Sequence, residues 1–354
     1  MRPPLVILGI CLALVLAGCA GVVDSSPTPT PEIGDRTSTP SETGTATPAA
    51  ETTPTEPVEG ELQIHHIDVG QADATLLIEP GGETMLIDSG DWRNDGADVL
   101  AYLDAHGIDR IDHLVATHAH ADHIGGHEAV IDHFEEQGDG IGVAYDSGVV
   151  HTTGTYNRYL DAIERHEVPL LQVEEGDSFA FGDANVTIYN PPAGDSGSDL
   201  HYNSVVLKVE FGSFAYLTTG DAEDDVESRI VEAFGGELNA TVYQAGHHGS
   251  STSSTATLLD VVTPEVAVIS SAYDSQYGHP HDEVLERFAG RGIETYWTGV
   301  HGHVVVTTNG ESVVVHPAHD EPTDAAILLE MKPAEETESI SLPSSNTPAG
   351  LVVG

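Results

Sequence analysis

The sequence predicts an α/β fold in which two sheets pack between layers of helices. From Glu61 to Pro317, short apolar segments with the character of strands alternate with amphipathic segments of helical spacing. Strand-rich segments lie near both ends of this range and neighbour helices, which indicates two similar halves. Such a chain buries its apolar faces well when helices cover the outer faces of packed sheets.

The first half of the predicted domain begins with three strands and continues with helices and one further strand. The turn Glu79-Pro80-Gly81-Gly82 joins the second strand to the third. Gly107 stops the first helix. The predicted strands cover 62–69, 74–78, 84–87 and 111–116, and the predicted helices cover 95–105 and 128–134.

The second half follows a less regular middle segment and again mixes strands with helices. Two strands, 204–211 and 213–218, form a pair that turns at Gly212. The remaining predicted elements are helices at 224–234 and 256–262, a strand at 240–244, and strands and helices over 266–270, 283–289, 295–298, 304–308 and 312–315.

The N-terminal end of the 354-residue chain differs from its middle. Arg2, the apolar run 5–16 and the sequence Leu16-Ala17-Gly18-Cys19 are typical of a signal segment, residues 1–19, that ends in a lipobox. We therefore expect a secreted lipoprotein, anchored through lipid on Cys19 at the extracellular face of the cell membrane. An uncleaved N-terminal anchor helix is the alternative, although the apolar run is short for a full span.

Segments poor in apolar residues flank the predicted domain, which covers residues 61–318. Residues 20–60 are rich in Ser, Thr, Pro and Glu and cannot bury a core, so they predict a disordered tether. Residues 319–354 form an acidic tail that we expect to be mostly disordered, although Ala326-Ile327-Leu328-Leu329 could dock on the domain.

The charge of the chain points to an unusual solvent. Eleven basic and 58 acidic residues give a formal net charge of −47. At ordinary ionic strength such a surface repels itself, whereas near 1 M salt the screening length falls to about 3 Å. A surface that binds a cationic partner would cluster its acidic residues, but here they are spread along the chain. The sequence therefore predicts a halophilic protein.

A dense group of metal-binding residue types follows the predicted strand at 111–116. The segment Thr117 to Gly126 contains His118, His120, Asp122 and His123 in the order H-x-H-x-D-H. Imidazole and carboxylate groups suit zinc and similar divalent ions. The only cysteines lie in the signal segment, at positions 11 and 19, so a metal site in the domain must use His, Asp or Glu.

Polar residues at three other predicted strand ends are candidates to complete this site. Asp88 follows one strand, and we expect it to orient a ligand histidine. Asp221 follows another, and its carboxylate can bridge two ions. His247 and His248 are adjacent, so in an extended segment they point to opposite sides. We expect His247 to bind metal and His248 to donate to a substrate oxygen.

The order of these motifs resembles the metallo-beta-lactamase superfamily, over about residues 61–317. Four segments look like the branch typified by the extracellular hydrolase domain of the DNA-uptake channel protein ComEC, and they cover 66–74, 203–207, 246–250 and 277–281. The resemblance implies a four-layer αββα sandwich. It also implies metal-dependent hydrolysis of phosphodiesters.

The resemblance further implies two divalent metal ions, zinc or manganese. It also implies ligands for both ions at the positions of this sequence that match the motifs of the family. The first ion would be held by His118 and His120, the second by Asp122, His123 and His247, and both by Asp221.

The resemblance leaves one ligand of the first ion unassigned. Many members of the superfamily have a further histidine before the strand that begins here at Asn203-Ser204, and the nearest candidate is His201. The branch resembling ComEC has Asn at the position of Asn203, which leaves His201 as either a ligand or a loop histidine. That branch also commonly has Asp where this chain has His120.

These residues lead to the hypothesis that the chain hydrolyses phosphodiesters in DNA or RNA outside the cell. Asp122 would orient the nucleophile. His248 or His279 would stabilise the developing charge or protonate the leaving oxygen. For His279, in Gly278-His279-Pro280, a structural role at a helix-entry turn is the alternative.

Other functions are compatible with the same residues. The same site could hydrolyse a beta-lactam, a lactone or a thioester, and a lipid-anchored binding protein without catalysis could retain the fold. The sequence shows no long membrane-spanning array, so we expect any DNA-uptake channel to be a separate partner protein.

Overall fold

The computed structural model describes residues 58–333. The predicted signal segment with Cys19, nearly all of the predicted tether and the tail beyond residue 333 lie outside the described residues. Over the described range the chain forms fifteen strands and eight α-helices. None of those helices combines the length and the hydropathy that a membrane span requires.

The first half of the fold contains six strands and three helices. They are β1 (Leu62–His66), β2 (Thr75–Ile78), β3 (Thr84–Ile87), α1 (Ala97–Ala105), β4 (Ile111–Val115), α2 (His127–Gln137), β5 (Ile141–Asp146), α3 (Gly154–His166) and β6 (Leu170–Gln172).

The second half contains the remaining nine strands and five helices. They are β7 (Ser178–Phe181), β8 (Ala184–Asn190), β9 (Val206–Phe211), β10 (Phe214–Thr218), α4 (Asp224–Phe234), β11 (Val242–Gln244), α5 (Ala256–Val262), β12 (Val266–Ile269), α6 (Asp282–Arg291), β13 (Glu294–Trp297), α7 (Thr298–His301), β14 (Val304–Thr308), β15 (Val313–Pro317) and α8 (Ala325–Met331).

The strands form two sheets that repeat one pairing pattern. The eight-stranded sheet has the order β15-β14-β1-β2-β3-β4-β5-β6, and the seven-stranded sheet has the order β13-β12-β11-β10-β9-β8-β7. In the first sheet β1 to β3 are antiparallel and β3 to β6 are parallel. In the second, β7 to β10 are antiparallel and β10 to β13 are parallel. The predicted similarity of the two halves is therefore present in the pairing.

Three apolar clusters show four layers, in the order αββα that the resemblance implied. Along β2, Leu77 belongs to the cluster between the sheets, while Leu76 belongs to the cluster under α1, α2 and α3. This alternation follows from the two-residue period of a strand. On the second sheet, Leu217 packs with α4, α5 and α6 in the third cluster, whereas Tyr216 faces the first sheet.

The middle segment is more regular than the sequence predicted, because it contains β5, α3, β6, β7 and β8. Helix α3 buries Tyr156, Tyr159, Ala162 and Ile163. Its inner face is half tyrosine, and the four buried residues recur at the spacing of an amphipathic helix. The strands β6 and β7 have only three and four residues, and β6 shows no alternation of burial.

The domain continues past the predicted boundary at residue 318 as far as α8. The Asp324 side chain accepts a hydrogen bond from the Ala326 N–H and begins this helix. Ala325 and Leu328 are buried in the third apolar cluster, against α6. The sequence alone left open whether the apolar segment 326–329 docks on the domain.

Four strands end where the predicted site residues begin. Asp88 follows β3, and the loop of His118 to His123 follows β4. In the second sheet, Asp221 follows β10 and the two adjacent histidines follow β11. Because β3 pairs with β4 and β10 with β11 in parallel, each pair of loops leaves its sheet at the same edge.

Candidate metal centre

The H-x-H-x-D-H loop, residues 118–123, is fixed by Asp88. The Asp88 Oδ1 accepts a hydrogen bond from the Thr117 N–H at 2.8 Å, and its Oδ2 accepts from the Thr117 hydroxyl at 2.7 Å. The same Oδ2 lies 2.7 Å from Nδ1 of His123. Asp88 therefore leaves Nε2 of His123 available to a ligand, which is the orienting role that we predicted for it.

The other side of this loop has room for glycine only. A Cβ atom on Gly125 would lie 2.1 Å from the Trp92 backbone nitrogen and 2.3 Å from the Asp91 carbonyl carbon. Backbone atoms cannot yield to such a contact as the end of a flexible side chain can. The loop thus packs directly on the segment that follows β3, and this close packing brings Asp88 and His123 together.

Asp221 lies between two sets of histidines and presents one oxygen to each. Its Oδ1 lies 3.1 Å from Nε2 of His123 and 4.0 Å from Nε2 of His248. Its Oδ2 lies 3.5 Å from Nε2 of His118 and 3.7 Å from Nε2 of His247. This is the geometry expected of a carboxylate that bridges two ions.

The ionisation of Asp221 also suits a ligand. Burial alone would raise its pKa, but His123, His248 and His118 around it hold the pKa of this carboxyl well below its usual range. Burial, together with His123, lowers the pKa of His118 well below its usual value. A carboxylate and a neutral imidazole are the forms that bind metal.

The structure places the adjacent histidines differently from the prediction, because His247 lies in another candidate group, with His201 and Glu223. His248 joins Asp73, His123 and Asp221 in a group whose ligand atoms all lie within 4.8 Å of one another, and His247 does not. The Nδ1 of His248 lies 3.0 Å from the Ser270 carbonyl oxygen, which leaves Nε2 available for a metal. We therefore infer that His248, rather than His247, binds the second ion.

The physical reason is the backbone of the short turn Gly246–Gly249. His247 and His248 both have left-handed conformations, with φ of 51° and 55°. The prediction assumed an extended segment, in which neighbouring side chains point to opposite sides. In the observed turn, His247 lies near Asp221 Oδ2 instead, on the side of His118.

His201 lies at the first ion's position rather than in a remote loop. It forms a group with His118, His120 and Asp221 whose ligand atoms are within 4.8 Å of one another. Nε2 of His118 lies only 2.8 Å from Nδ1 of His120. The first site therefore has His201 as a candidate for the ligand that the sequence comparison left open.

Asn203, the other candidate at this position, has a structural role. It is buried, and its amide donates a hydrogen bond to the Asp199 carbonyl oxygen at 2.8 Å, while its oxygen accepts from the Ser196 hydroxyl. These bonds close the loop that carries His201 towards the site.

Asp122 lies at the open side of the second group. Its Oδ2 is 3.4 Å from Nε2 of His248, and its side chain is 32% exposed. A carboxylate in this position can contact both an ion and a water molecule in the cleft. Both of its predicted roles, ligand and orienting group, are compatible with this geometry.

Two carboxylates that the sequence reasoning missed complete the surroundings. Asp73 is buried, and its Oδ2 lies 3.6 Å from Nδ1 of His248 and 4.0 Å from Nδ1 of His123. Oε1 of Glu223 lies 3.4 Å from Nδ1 of both His201 and His247. Glu223 is placed to orient two imidazole rings. The distances from Asp73 are longer than hydrogen bonds, and Asp73 belongs instead to the second group of candidate ligands. Asp73 lies in the segment 66–74 that carries part of the family resemblance, and Glu223 lies two residues after Asp221. Neither position in the sequence indicated which histidine the side chain would reach.

The donor atoms fit divalent ions. Among residues 58–333, the buried atoms His123 Nε2, His248 Nε2 and Asp221 Oδ1 have no hydrogen-bond partner. Buried polar atoms are rarely left without a partner. An ion between them would satisfy all three, and the mixture of imidazole and carboxylate groups matches the preference of zinc or manganese.

The ligand groups open into a cleft of about 280 Å3. His279 lies in its wall, and its Nδ1 is 3.2 Å from the Gln71 amide nitrogen. Burial, with the nearby His248, His281 and His247, lowers the pKa of His279 to about 3, so its ring is neutral at pH 7. The cleft is lined by Gln71, His120, Asp122, His201, Asp221, His247, His248, Tyr277 and His279.

This sandwich, with histidines and aspartates at the strand ends of both sheets, defines the class of metal-dependent hydrolases built on two stacked sheets. The chain belongs to the metallo-beta-lactamase superfamily, whose family model matches residues 67–272.

The chain is similar to proteins from two bacteria. The chain is 30% identical over 263 residues to ComE operon protein 3 of Bacillus subtilis (strain 168), covering 70% of this chain and 33% of that protein. It is 31% identical over 246 residues to Competence protein ComA of Neisseria gonorrhoeae, covering 69% of this chain and 32% of that protein. The match thus spans about a third of each relative.

Among solved structures, the metallo-beta-lactamase fold protein YhfI from Bacillus subtilis aligns with a TM-score of 0.46 and 10% identity. The alignment covers 68% of this chain and 97% of that chain.

Proposed function

We propose that this chain is a metal-dependent phosphodiesterase that cleaves DNA or RNA. The observation that carries the proposal is the position of Asp221, whose two oxygens face two separate sets of histidine nitrogens. Two adjacent ions, when bound, supply an activated water molecule and neutralise charge on phosphoryl oxygens. The relationship to competence proteins supports a nucleic-acid substrate over other phosphodiesters.

The chain's own residues would position the reaction around this centre. Asp122, at the open side of the second group, would accept a hydrogen bond from the attacking water and orient it. His279, across the cleft, would donate a hydrogen bond to the leaving oxygen. His248, which we predicted for that role, is instead committed to the second ion in this proposal.

The acidic composition argues against a polyanionic substrate only at low salt. Basic side chains normally supply affinity for phosphate through released counterions. Near 1 M salt, repulsion between the surface and the substrate is screened within about 3 Å. We infer that in such a solvent the ions at Asp221 would provide the main attraction for the scissile phosphate.

The proposal is tested with purified full-length protein in high salt, supplied with manganese or zinc. The substrates are single-stranded DNA, RNA, bis-p-nitrophenyl phosphate and nitrocefin. We expect cleavage of the phosphodiesters and a loss of at least about 100-fold in Asp221→Asn, since removing even an outer partner of a metal site costs 10- to 100-fold. Glu232→Gln, which changes an exposed carboxylate on α4, is the matched control.

Two results would contradict the proposal. Cleavage of nitrocefin without cleavage of any phosphodiester would assign the site to lactams. Phosphodiesterase activity that is equal in Asp221→Asn and the wild type would place the activity elsewhere.

We further propose that the protein works at the extracellular face of the cell membrane, attached through lipid on Cys19. The support is the sequence of the signal segment. Expression in the presence of radiolabelled fatty acid tests the attachment. We expect label in the wild type and none in Cys19→Ser, and an unlabelled wild-type chain would contradict the proposal.

A further inference from the structure

We propose that Tyr277 is a stacking platform for one unpaired nucleobase next to the metal centre, so that the substrate is single-stranded nucleic acid. The inference rests on the proposed function, because it names the substrate class of the same cleft. It is carried by the exposure of Tyr277, by the bonds that fix its loop and by the charge of the cleft wall.

Tyr277 presents its ring to the solvent at the cleft. Its relative exposure is 58%, the highest among the lining residues, although it belongs to the wall that His247 and His248 also form. A single exposed aromatic ring on a protein surface needs no explanation. A ring exposed in the wall of the cleft that holds the candidate ligands is different, because it is within reach of a substrate bound there.

The loop that carries Tyr277 is fastened to the metal-binding turn. The Ser251 N–H donates to Nδ1 of His281 at 2.8 Å, and the His281 N–H donates to the Gly249 carbonyl oxygen at 2.9 Å. Since Nδ1 accepts, Nε2 of His281 carries the proton and donates to the Tyr277 carbonyl oxygen at 3.2 Å. The backbone of Tyr277 is thus tied to the turn that carries His247 and His248, which places the base of its side chain beside the candidate ligands.

Aromatic rings continue from Tyr277 towards the ligands. The Tyr277 and His279 ring centroids are 5.7 Å apart, with an interplanar angle of 35°. The His279 and His248 rings are 6.3 Å apart at 25°. A base stacked on the outer face of Tyr277 would therefore extend an existing series of rings, with its phosphate directed into the cleft.

The charge of the cleft favours stacking over electrostatic binding. Among the described residues that line it, there is neither lysine nor arginine. Proteins that bind single strands usually combine a positive groove with aromatic platforms, and base stacking contributes even where the groove does not. A duplex keeps its base faces covered, so only an unpaired base can stack on Tyr277.

The test measures binding by fluorescence anisotropy, using two labelled strands of equal length. One is oligothymidylate and the other carries tetrahydrofuran units in place of every base. Phosphorothioate linkages in both slow cleavage during the titration. The proteins are the metal-loaded wild type, Tyr277→Ala and Tyr277→Phe, with Tyr273→Ala as the control for an exposed tyrosine outside the lining residues.

We expect Tyr277→Ala to weaken binding of oligothymidylate by about 5- to 150-fold, the range that corresponds to loss of one stacked base. Binding of the abasic strand should not change. Tyr277→Phe should bind as the wild type does, because the ring is retained, and Tyr273→Ala should also be unaffected.

Three results would overturn the stacking proposal: an equal loss on both strands, no loss in Tyr277→Ala, or no binding of either strand by any protein. Cleavage of the matching phosphodiester strands is measured in parallel. If no strand is cleaved but Tyr277→Ala loses base-dependent binding, the proposed hydrolysis fails while the stacking platform stands. If base-bearing and abasic strands are bound and cleaved equally, hydrolysis stands and stacking fails.

Discussion

At the scale of single residues, the decisive feature is the division of Asp221 between two groups of histidines. Oδ1 faces His123 and His248, whereas Oδ2 faces His118 and His247. Asp221 is the residue that belongs to both four-residue groups of candidate ligands around the two positions. The two groups therefore form one connected site through this carboxylate.

The assignment of His248 to the second ion gives a direct prediction. His248→Ala should lower the affinity for one of two ions by at least about 100-fold, because loss of a ligand exceeds the 10- to 100-fold cost of losing an outer partner. His247→Ala should leave that ion bound. Isothermal titration calorimetry of the metal-free variants with manganese and zinc measures the two metal affinities. A large loss in His247→Ala and none in His248→Ala would instead assign the second ion to His247.

The sequence predicted His118, His120, His123 and Asp221 as ligands, and the structure brings these four together. This was possible because three of them share one short loop and Asp221 ends a recognisable strand. Asp73 reaches His248 only through packing between segments that are distant in the chain, so local spacing could not reveal it. The exchange of the adjacent histidines followed from a left-handed turn that the residue pattern did not indicate.

At the scale of elements, the site depends on how closely the loop after β4 packs on the segment after β3. Gly125 makes this contact with the backbone of Asp91 and Trp92. Helix α4 and the loop before α5 form a second junction, where a buried carboxylate accepts backbone hydrogen bonds. Each junction can be tested by one substitution.

Gly125→Ala should destabilise the protein by about 1–3 kcal/mol, the usual cost of forcing atoms into a packed interior. The metal affinity should fall with it, because the displaced loop carries the ligands. Denaturant unfolding and metal titration measure the two effects. Gly236→Ala is the control, since a Cβ atom there meets nothing within 4 Å. Equal stability of the two variants would show that the loop accommodates the methyl group.

Glu227 predicts a dependence of stability on pH at the second junction. The Ser254 and Thr255 N–H groups donate to its carboxylate at 2.6 and 2.8 Å, but burial raises its pKa from 4.5 to about 7. Between pH 4.5 and about pH 7, the folded state therefore binds more protons than the unfolded state. Stability from this group is therefore present below about pH 4.5 and is lost as the pH rises to about 7.

The measurement compares the free energy of unfolding of the wild type with that of Glu227→Gln across this range. A shift of this size corresponds to about 3 kcal/mol. The stability of the wild type relative to Glu227→Gln should decline by an amount of that order as the pH rises. A flat difference, or one that grows with pH, would contradict the assignment.

Most elements of the fold could be predicted from hydrophobic periodicity, including β14 at its observed bounds. Strand ends were less accurate: the first strand was predicted to reach residue 69 but ends at His66. Ile67 is still buried after the strand ends, and its N–H donates to the Ala74 carbonyl oxygen, so the pattern of residue types does not show where the strand stops. Helix α3 was not predicted, although its buried residues, which include Tyr156 and Tyr159, recur at helical spacing.

At the scale of the whole molecule, two similar halves each contribute one set of ligand loops to a centre between two sheets. Among the described residues, the last elements complete the domain, since β14 pairs with β1 and α8 packs on α6. The four layers follow from strands that are apolar on both faces. The packing of these layers does not depend on the net charge of −47.

The charge predicts that stability depends strongly on salt. Raising KCl from about 0.1 M to about 1 M shortens the screening length from about 10 Å to about 3 Å, which relieves repulsion among the acidic residues. The melting temperature should rise over this range. Sucrose, which favours the folded state without screening charge, is the control. An equal rise in sucrose, or no rise in KCl, would contradict the prediction of a halophilic protein.

The central claim is that Asp221 joins two metal ions in one site. It is tested most directly by the metal content of purified, metal-reconstituted protein, measured by inductively coupled plasma mass spectrometry for the wild type and Asp221→Asn. The account predicts two ions per chain in the wild type and a loss of at least one in the variant, with circular dichroism unchanged. A wild type that holds no ion, or equal metal content in both proteins, would contradict it.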